Sequence, residues 1–482
     1  MLVMMLFQLL FLIINLKSVL LVPLNPKLLV ISYDGFRYDY LNRNCTPFMK
    51  KIKEEGTYSD YMKNIFITKT FPNHHTIATG FYAETHGVID SNYLTQDNKI
   101  MNMSQEMYAY NKNILPIWTL NELSGNGRHS GTMMWPGSIY KYNNTLPTHI
   151  GTFNISRSWK NRTDEIISWF LDPINPANFV LLYIEEPDFH THALGTQSPK
   201  INELLKKLDN FTEYIFNKLR DNNLDDVNVV HLSDHGMADV PYSHIINISN
   251  IIDEKTEAKI VVTLSTAMIE PYNGKDIIVY NKLKNESAKT SGFEVYWKKD
   301  IPDKWHYRNN NRISKIFLIA KIGYAFDELF KSMKYYEKAF NITINNQSQF
   351  GVHGYDNGDH RMYPIFFARG PAFVSHCKLE PFNSVDLLSL FCHILNINCQ
   401  QTNGTLNSFD KCLQIPPSTD ESSYIYLGIM GVVIVTVIIF FVGYLYLQQR
   451  RRQVEIIYRR ILNDAKQEQF WDDQQDTEYV WH

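Results

Sequence analysis

The chain has 482 residues, which is enough for one large or two ordinary domains. Hydrophobic residues make up 44% and aromatic residues 13% of the chain, a composition that is typical of a packed globular protein and excludes a largely disordered one. The formal net charge is −3, so nothing in the composition indicates a surface that binds a nucleic-acid polymer.

The N-terminal segment is apolar and predicts a cleaved signal peptide over residues 1–22. Leu6–Asn15 forms its apolar centre, and Lys17 follows it. The segment is short for a membrane span, and it lacks the basic start of a typical signal peptide. An uncleaved anchor is therefore the alternative.

Three apolar runs predict buried strands, and a helix between the last two predicts that those strands are parallel. The runs are Leu28–Tyr33, Phe179–Ile184 and Val227–Leu232. In the helix, Lys200–Arg220, apolar residues recur at the helical period. This pattern is typical of an α/β fold with a mostly parallel sheet flanked by helices.

Residues 251–335 lack the metal-ligand motifs of the rest of the chain and predict a smaller inserted subdomain. Within them Asp276–Tyr280, Phe293–Trp297 and Ile313–Ala320 have the composition of strands. A later strand is predicted at Pro364–Ala368, where Gly370-Pro371 ends the run.

Five short segments carry side chains suited to a metal site. They are Ser32–Arg37, Lys69–His74, Glu185–His192, Ser233–Met237 and His353–Asn357. Three of these segments follow a predicted strand directly, and ligands in open α/β sheets collect at the carboxyl ends of the strands. Two zinc ions about 4 Å apart require roughly six Asp or His ligands and a nucleophile, which these segments together can supply.

The spacing within two of the segments indicates which side chains point the same way. Asp188 and His192 are four residues apart and share one face of a helical turn, whereas His190 between them faces away. Asp234 and His235 are adjacent, so their side chains diverge and can serve one ion from a turn or two different ions. For any single histidine of this set, a structural role in the core is the alternative.

Thr70 is the candidate nucleophile. A threonine hydroxyl is a weak nucleophile near neutral pH and needs a base or a metal to activate it. No serine-hydrolase motif surrounds Thr70, so a metal is the available route. The following Pro72-Asn73 predicts a turn that opens a helix from about His74 to Gly80, and a helix N-terminus favours a bound phosphate. A simple capping threonine is the alternative.

These motifs together resemble the nucleotide pyrophosphatase/phosphodiesterase family within the alkaline phosphatase superfamily. The resemblance covers about residues 27–400 and includes Pro116-Ile117-Trp118, Trp135-Pro136-Gly137 and His306-Tyr307. It is closest to the short type I members, because nothing in the chain corresponds to the extra domains of the longer ones. It implies an alkaline-phosphatase-like core with a smaller inserted subdomain.

The resemblance also implies a site with two zinc ions and a covalent mechanism. One zinc ion is held by Asp188, His192 and His353. The other is held by Asp34, Asp234 and His235, with the oxygen of Thr70 bound to it. Thr70 attacks phosphorus and forms a nucleotidyl–threonine, which water then hydrolyses to release a nucleoside monophosphate.

The expected substrate contacts are Phe71, which stacks a nucleobase, and an asparagine that holds a phosphate oxygen. Ungapped alignment with the family pattern places Ser91 at the asparagine position, whereas a shift of one residue places Asn92 there. We expect Asn92. Phe153, Tyr140 and Tyr142 are candidates for a second aromatic wall. The expected substrates are extracellular nucleotides or nucleotide diesters, and a choline phospholipid is the alternative within the family.

Three other functions fit parts of the sequence. A sulfatase shares the superfamily fold, but Cys45–Met49 has methionine where the sulfatase signature requires arginine. A phosphomonoesterase usually has serine in place of Thr70. An adhesion or receptor protein could keep the fold without turnover, although the complete set of ligands and the nucleophile argue for an enzyme.

The C-terminal part predicts membrane attachment. Ile425–Leu447 carries no charge and is long enough to cross a bilayer as one helix. Arg450, Arg451 and Arg452 follow it and predict a cytoplasmic tail over residues 448–482. We therefore expect a single-pass type I protein of the plasma membrane, with an extracellular catalytic domain over residues 23–400 and a stalk over residues 401–424.

Sequons and cysteines agree with a secretory route. Acceptor sites for N-glycans precede residue 425 at Asn44, Asn102, Asn143, Asn154, Asn161, Asn210, Asn247, Asn285, Asn341, Asn346 and Asn403. Five cysteines are present, so at least one is not in an intramolecular disulfide. Cys392 and Cys399 are close enough for a local bridge, and Cys377–Cys412 is the less certain second pair.

Overall fold

The computed structural model of the chain describes residues 25–95, 97, 99–414 and 421–475. The predicted signal peptide, residues 1–22, lies outside the described residues. The chain divides into two compact units, one that ends at Gln414 and one that begins at Ile415. The first unit contains the sheets, and the second contains one long helix.

The secondary structure alternates between strands and helices along the first unit. Over the described residues the strands are β1 (Lys27–Tyr33), β2 (Thr57–Ser59), β3 (Tyr93–Leu94), β4 (Ile100–Met101), β5 (Ser130–Met133), β6 (His149–Gly151), β7 (Phe179–Ile184), β8 (Val227–Leu232), β9 (Ala238–Pro241), β10 (Ile245–Ile246), β11 (Ala258–Thr263), β12 (Thr266–Pro271), β13 (Phe293–Trp297), β14 (Ile316–Ala320), β15 (Ala325–Phe326), β16 (Gln349–Val352), β17 (Phe366–Arg369) and β18 (Cys377–Leu379). The α-helices over the same residues are α1 (Pro47–Glu55), α2 (Thr70–Thr79), α3 (Ala83–His86), α4 (Gln105–Tyr108), α5 (Ile117–Leu123), α6 (Trp159–Phe170), α7 (Asp188–Leu194), α8 (Pro199–Asp221), α9 (Asp276–Thr290), α10 (Glu328–Phe340), α11 (Leu387–Leu395) and α12 (Glu421–Gln475).

The central sheet has eight strands within the described residues, in the order β18-β2-β17-β8-β1-β7-β5-β6. Strands β8, β1, β7, β5 and β6 are parallel to their neighbours in this series, whereas β17 runs antiparallel to both β8 and β2. Every residue of β7 and β8 is buried, as a sheet covered on both faces requires. The predicted α/β fold with a mostly parallel sheet is confirmed.

Strands β1, β7 and β8 lie side by side, which determines where the catalytic segments meet. Tyr33 at the end of β1 pairs with Ile184 at the end of β7, and Ser32 pairs with Leu232 at the end of β8. The helix between β7 and β8, α8, buries one apolar stripe and leaves its opposite face exposed. The predicted crossover is therefore present, and the three strands end at one edge of the sheet.

The inserted subdomain has a sheet of its own. Strands β11, β12, β14 and β13 form an antiparallel sheet in that order, packed with α9 and α10 around a separate apolar core. The prediction of a strand at Asp276–Tyr280 is wrong, because these residues begin helix α9. The apolar run misled the assignment: Ile277 and Ile278 are exposed, whereas Val279 and Leu283, four residues apart, are buried.

Two disulfides close the C-terminal part of the first unit. The pairs are Cys392–Cys399 and Cys377–Cys412, as predicted, and Cys45 is buried as a free thiol. Residues in this part pack on the main core, including Phe409, which is 1% exposed. The stalk boundary at residue 401 and the use of the sequons remain predictions.

The membrane prediction does not hold. A helix that crosses about 30 Å of hydrocarbon needs about 20 consecutive, predominantly apolar residues. Residues 425–447 lie within α12, but across the part of the chain that the structure describes no helix is long and apolar enough to cross a bilayer. The predicted C-terminal transmembrane helix, and with it the assignment to a single-pass type I protein of the plasma membrane, is therefore wrong.

Candidate active site

The candidate metal ligands lie at the edge of the sheet where β1, β7 and β8 end. Asp34 directly follows β1, and Asp234 and His235 follow β8. Asp188 begins helix α7, and the backbone N–H of Asp188 donates to the carbonyl of Asp34 at 3.0 Å. His353 comes from the loop after β16. Segments far apart in the chain are thus joined within one small region.

Asp34, Asp234 and His235 form one cluster, which we call the inner cluster because all three residues are buried. Their ligand atoms lie within 4.8 Å of one another. His235 Nε2 is 3.1 Å from Asp234 Oδ2 and 3.3 Å from Asp34 Oδ1. Two carboxylates and one imidazole at this spacing form a donor set that can hold a divalent metal ion.

Asp188, His192 and His353 form the outer cluster, which is more exposed. His192 Nε2 is 3.2 Å from Asp188 Oδ2, and His353 Nε2 is 3.6 Å from Asp188 Oδ1. The rings of His353 and His235 stack with centroids 3.7 Å apart. The two clusters are therefore adjacent, as a two-metal site requires.

Each histidine of the two clusters is held so that Nε2 faces its cluster. In every case Nδ1 lies within hydrogen-bond distance of a backbone carbonyl, and because a carbonyl can only accept, Nδ1 is the donor. The pairs are His192 with Gly351 (2.8 Å), His235 with Gly236 (2.9 Å) and His353 with Thr68 (3.0 Å). This arrangement leaves the Nε2 lone pair free, which is how proteins orient metal-binding histidines.

The carboxylates of the clusters have oxygens without a hydrogen-bond partner. Asp34 Oδ1, Asp188 Oδ1 and Asp234 Oδ2 are buried and make no hydrogen bond to any described residue. Buried charged oxygens are rarely left unpaired, because the loss of hydration is costly. All three oxygens belong to a cluster, so the residues present fit metal ions at both positions.

The electrostatics of the two clusters differ. Burial raises the pKa of Asp34 well above its usual value, and the nearby carboxylates of Asp234 and Asp188 raise it further. Burial would also raise the pKa of Asp188, but the neighbouring His192, His353 and His235 hold it below its usual value. Without a cation, the inner cluster therefore resists full ionisation, whereas the outer cluster is partly balanced by its own histidines.

Thr70 lies against the inner cluster at the first residue of α2. Its Oγ1 is 3.2 Å from His235 Nε2. The helix begins four residues earlier than the predicted start at His74. Thr70 therefore lies at the helix N-terminus, and Pro72-Asn73 belongs to the helix and is not a turn before it. Unpaired backbone N–H groups at this end of a helix favour a bound phosphate.

A cavity of about 460 Å³ opens in front of Thr70 and the clusters. Phe71, Ser91 and Asn92 all line it, so the structure brings together the nucleophile candidate, the aromatic residue and both alternatives for the phosphate-oxygen contact. The lining also includes an apolar group of side chains, Met134, Trp135, Ile139, Tyr140 and Phe153, which we call the apolar wall. Of the three candidates for a second aromatic wall, Tyr140 and Phe153 line the cavity, whereas Tyr142 is 5% exposed and packs in the core.

Two supporting residues were not found from the sequence. Tyr183 donates its hydroxyl to Asp34 Oδ2 at 2.5 Å, and burial together with the nearby Asp34 raises the pKa of Tyr183 so that the hydroxyl keeps its proton. His74 lies 3.4 Å from Asp234 Oδ2 and 2.9 Å from the hydroxyl of Ser32. The segment that contains Thr70 and His74 could be recognised from the sequence. The contacts of His74 with Ser32 and Asp234 could not.

His190 lies apart from both clusters, on the opposite face of α7 from Asp188 and His192. Its Nδ1 is hydrogen-bonded to the buried carboxylate of Glu186, and its ring packs edge-on against Phe340 with centroids 4.9 Å apart. This is the position that the helical spacing predicted.

Comparison with known proteins identifies the family. Residues 28–356 match the family described as type I phosphodiesterase / nucleotide pyrophosphatase. The chain belongs to this family. The resemblance drawn from the motifs is therefore confirmed, and the chain is a hydrolase of the nucleotide pyrophosphatase/phosphodiesterase class.

Several family members align over most of their length. Bis(5'-adenosyl)-triphosphatase enpp4 of Xenopus laevis is 36% identical over 392 residues, which cover 80% of this chain and 81% of the relative. The human ectonucleotide pyrophosphatase/phosphodiesterase family member 5 is 35% identical over 390 residues, covering 80% and 77%. The structure of an inactive variant of murine ectonucleotide pyrophosphatase/phosphodiesterase 5 in complex with AMP superimposes on this chain with a TM-score of 0.71. The two sequences are 33% identical, and the match covers 80% of this chain and 100% of that chain.

The family is one of metallohydrolases, and the two clusters give this chain candidate groups for metal binding. The family match over residues 28–356 includes both clusters and the inserted subdomain. Nucleotide substrates are consistent with the relatives.

Proposed function

We propose that the protein is a zinc-dependent phosphodiesterase/pyrophosphatase that cleaves nucleotides or nucleotide diesters through a covalent bond to Thr70. One observation carries the proposal: the hydroxyl of Thr70 lies 3.2 Å from His235, at the junction of a helix N-terminus and two adjacent clusters of carboxylates and histidines. A hydrolase that transferred phosphate directly to water would not need a threonine hydroxyl at this point of the cavity.

Zinc suits the donor sets better than the other common divalent ions. Each cluster combines imidazole nitrogen with carboxylate oxygen, whereas calcium and magnesium prefer oxygen alone. Asp34, Asp234 and His235 would hold one ion, and Asp188, His192 and His353 the other. When bound, two zinc ions supply Lewis acidity, which stabilises negative charge on phosphoryl oxygens and favours loss of a proton from a hydroxyl or water.

Thr70 supplies the nucleophile in the first half of the reaction. Its Oγ1 forms a bond to phosphorus while the bond from phosphorus to the leaving oxygen breaks. The product is a nucleotidyl ester on Thr70, and in the second half water attacks the same phosphorus and releases the monophosphate from Oγ1. The fixed position of Thr70 at the start of α2 reduces the entropic cost of the attack.

Asn92 is the proposed donor to a phosphate oxygen. Asn92 and Ser91 both line the cavity, and Asn92 is the residue that a one-residue shift of the family pattern selects. An amide donor aimed at a phosphate oxygen stabilises the charge that develops there. A matched pair of variants, Asn92→Ala and Ser91→Ala, separates the two assignments, because only the residue that contacts phosphate should lower kcat strongly.

A nucleoside is the proposed group that lies between Phe71 and the apolar wall. The cavity is lined by several aromatic and apolar side chains, which suit the flat face of a base. Two relatives support the idea through what their names state: one is a triphosphatase for a bis-adenosyl substrate, and one was solved with AMP. A choline phospholipid would instead place a trimethylammonium group and an acyl chain in the same space.

The decisive variant is Thr70→Ala, with Thr70→Ser as its matched control. We expect Thr70→Ala to lose turnover of a p-nitrophenyl nucleotide ester by about a thousandfold, as expected for loss of an essential nucleophile. Thr70→Ser keeps a hydroxyl and should retain measurable turnover. Brief acid quenching of the wild-type reaction should trap a nucleotidyl group on the peptide that contains Thr70.

Turnover of Thr70→Ala within about tenfold of the wild type would exclude the covalent role. A substrate panel of ATP, NAD, a dinucleoside polyphosphate and lysophosphatidylcholine then tests the substrate class on the same preparation. If lysophosphatidylcholine is cleaved much faster than every nucleotide, the nucleotide assignment fails although the role of Thr70 can stand.

A further inference from the structure

Lys69, the residue before Thr70, points its ammonium group into the protein interior. Nζ lies 2.8 and 3.0 Å from the two carboxylate oxygens of Asp90, 2.5 Å from Thr263 Oγ1 and 2.9 Å from Thr266 Oγ1. Lys69 is 4% and Asp90 1% exposed. A buried ion pair is costly to desolvate, and it is favourable only when further hydrogen bonds complete it. Here the two threonines provide them.

The two threonines belong to the inserted subdomain. Thr263 and Thr266 face each other across the end of the β11–β12 hairpin, and their hydroxyl oxygens are 2.8 Å apart. Both also donate to Asp90 Oδ2, at 3.0 and 3.1 Å. We refer to Lys69, Asp90, Thr263 and Thr266 as the Lys69 network.

The hairpin turn that carries these hydroxyls is itself fixed. The carbonyl of Leu264 accepts from the backbone of Phe326 at 2.6 Å, and the carbonyl of Ser265 accepts from the backbone of Ala320 at 2.8 Å. Both donors lie in strands of the inserted subdomain. A rigid part of that subdomain therefore contacts the side chain next to the nucleophile.

The network adjoins three parts of the active site. Thr70 follows Lys69 directly, and the backbone N–H of Ser91 donates to Asp90 Oδ1 at 2.6 Å. Gly354, next to the cluster residue His353, packs so closely on the stem of Lys69 that an added Cβ would lie 2.6 Å from Lys69 Cε. The backbone of Lys69 is held as well, because its carbonyl accepts from the side chain of Asn73 at 3.0 Å.

We propose that the Lys69 network positions Thr70, so that the inserted subdomain helps to set the geometry of attack on phosphorus. The inference rests on the proposed role of Thr70 as the nucleophile. Lys69 occupies the N-cap position of α2, so rotation of its backbone would turn Thr70 away from the clusters. A misplacement of about 1 Å can lower a rate by about a hundredfold, so a modest loosening of this anchor should be measurable.

Thr266 is the best residue for the test. Thr266 is buried, and its hydroxyl contacts both Lys69 and Asp90. Unlike Thr263, it is not among the described residues that line the cavity. Thr266→Val keeps the shape and the strand preference of the side chain but removes its hydroxyl. We expect kcat for a p-nitrophenyl nucleotide ester to fall about tenfold while KM changes less than about twofold, because positioning of the nucleophile affects the transition state more than substrate binding.

Two matched variants complete the experiment. Thr266→Ser keeps the hydroxyl and should restore kcat to within about twofold of the wild type. Ser265→Ala removes a buried hydroxyl from the same turn, and this hydroxyl makes no hydrogen bond to a described residue. The variant should therefore keep kcat within about twofold of the wild type. Thermal unfolding of all three variants shows whether each remains folded at the assay temperature.

Normal kcat for folded Thr266→Val would overturn the proposal, as would equal losses in Thr266→Val and Thr266→Ser. A rise in KM without a fall in kcat would also contradict it, because that result would mean a role in substrate binding. Thr70→Ala in the same assay separates the two claims. If Thr70→Ala remains active, the nucleophile assignment fails; if it is inactive and Thr266→Val is normal, only the positioning role fails.

Discussion

The inner and outer clusters contain the same types of ligand in different surroundings. The inner cluster is fully buried at the ends of β1 and β8 and lies against Thr70. The outer cluster is built on helix α7 and the loop after β16, and it is more exposed. The inner cluster has two carboxylates and one histidine, whereas the outer cluster has one carboxylate and two histidines.

This difference gives the two clusters different electrostatics. The pKa of Asp34 is raised by burial and by the carboxylates around it, so the inner cluster depends on a cation to become fully ionised. The pKa of Asp188 is held low by the histidines beside it in spite of burial. With Thr70 as the proposed nucleophile, its contact with His235 leads us to propose that the covalent bond forms at the inner cluster and is hydrolysed at the outer cluster.

The largest expected effect separates these two steps. Asp234→Asn removes a charge from the cluster that contacts Thr70, so we expect turnover to fall about a thousandfold without a burst of p-nitrophenol. His353→Ala leaves all three residues of the inner cluster in place and removes only the ring that stacks on His235. We expect it to keep a burst and to lose the slower steady-state phase. Rapid-mixing measurements with a p-nitrophenyl nucleotide ester distinguish the two.

A burst in Asp234→Asn, or identical time courses for the two variants, would mean that the clusters do not divide the reaction in this way. Elemental analysis of both proteins provides the control, because each variant should retain the ion of the unaltered cluster.

The next effect concerns the hydroxyl that supports the inner cluster. Tyr183→Phe removes the hydrogen bond to Asp34 while keeping the ring that lines the cavity. Loss of such a supporting contact typically lowers metal affinity or activity by about 10- to 100-fold. Zinc affinity measured by competition with a chelator should fall within that range. Unchanged affinity and activity would show that the bond is not needed to orient Asp34.

A smaller effect is expected on the substrate side of the cavity. Phe71→Ala should raise KM for a nucleotide diester by the amount that corresponds to a lost base stack of about 1–3 kcal/mol. A small p-nitrophenyl phosphodiester has no base and should be affected much less, which makes it the internal control. Equal losses for the two substrates would mean that Phe71 only packs against the turn that holds Thr70.

The last effect is one on stability and not on turnover, and it concerns a buried histidine outside the clusters. Burial lowers the pKa of His231 to about 3 from a usual value of 6.5. Between these two values the unfolded chain binds a proton that the folded chain does not, so the free energy of unfolding falls as the pH drops from 6.5 towards 3 and is unaffected above 6.5. One such group contributes a slope of about 1.4 kcal/mol per pH unit.

His231→Phe removes this proton difference, and urea unfolding between pH 4.5 and 6.5 should show a shallower dependence on pH than the wild type. His231 stacks on Phe367 with centroids 4.6 Å apart, so a phenyl ring is a conservative replacement. An unchanged slope would mean that His231 does not stay neutral in the folded protein.

The sequence was most informative where a local pattern carried the chemistry. Apolar runs that end near Asp34 and Asp234, and the four-residue spacing of Asp188 and His192, predicted that these side chains lie close together at one edge of the sheet. The supporting contacts could not be predicted in this way. The acceptors of the cluster histidines are backbone carbonyls, which have no signature in sequence, and the Tyr183–Asp34 hydrogen bond joins positions that only the folded sheet brings together.

Local composition also misled at two points. The β-branched run after Asp276 matched a strand, but the spacing of its buried residues belongs to a helix. Tyr140 and Tyr142 looked equivalent in sequence, yet the chain turns back at Tyr142, where it forms a bridge with Thr145, and only Tyr140 reaches the cavity.

The central claim is that two adjacent clusters hold two metal ions beside Thr70. The most direct measurement is the metal content of the purified, active protein, determined together with that of Asp234→Asn and His353→Ala. We predict about two zinc ions per chain in the wild type and about one in each variant, with chelation abolishing activity and added zinc restoring it. Fully active protein that contains no zinc, or a single ion that is unaffected by either substitution, would contradict the account.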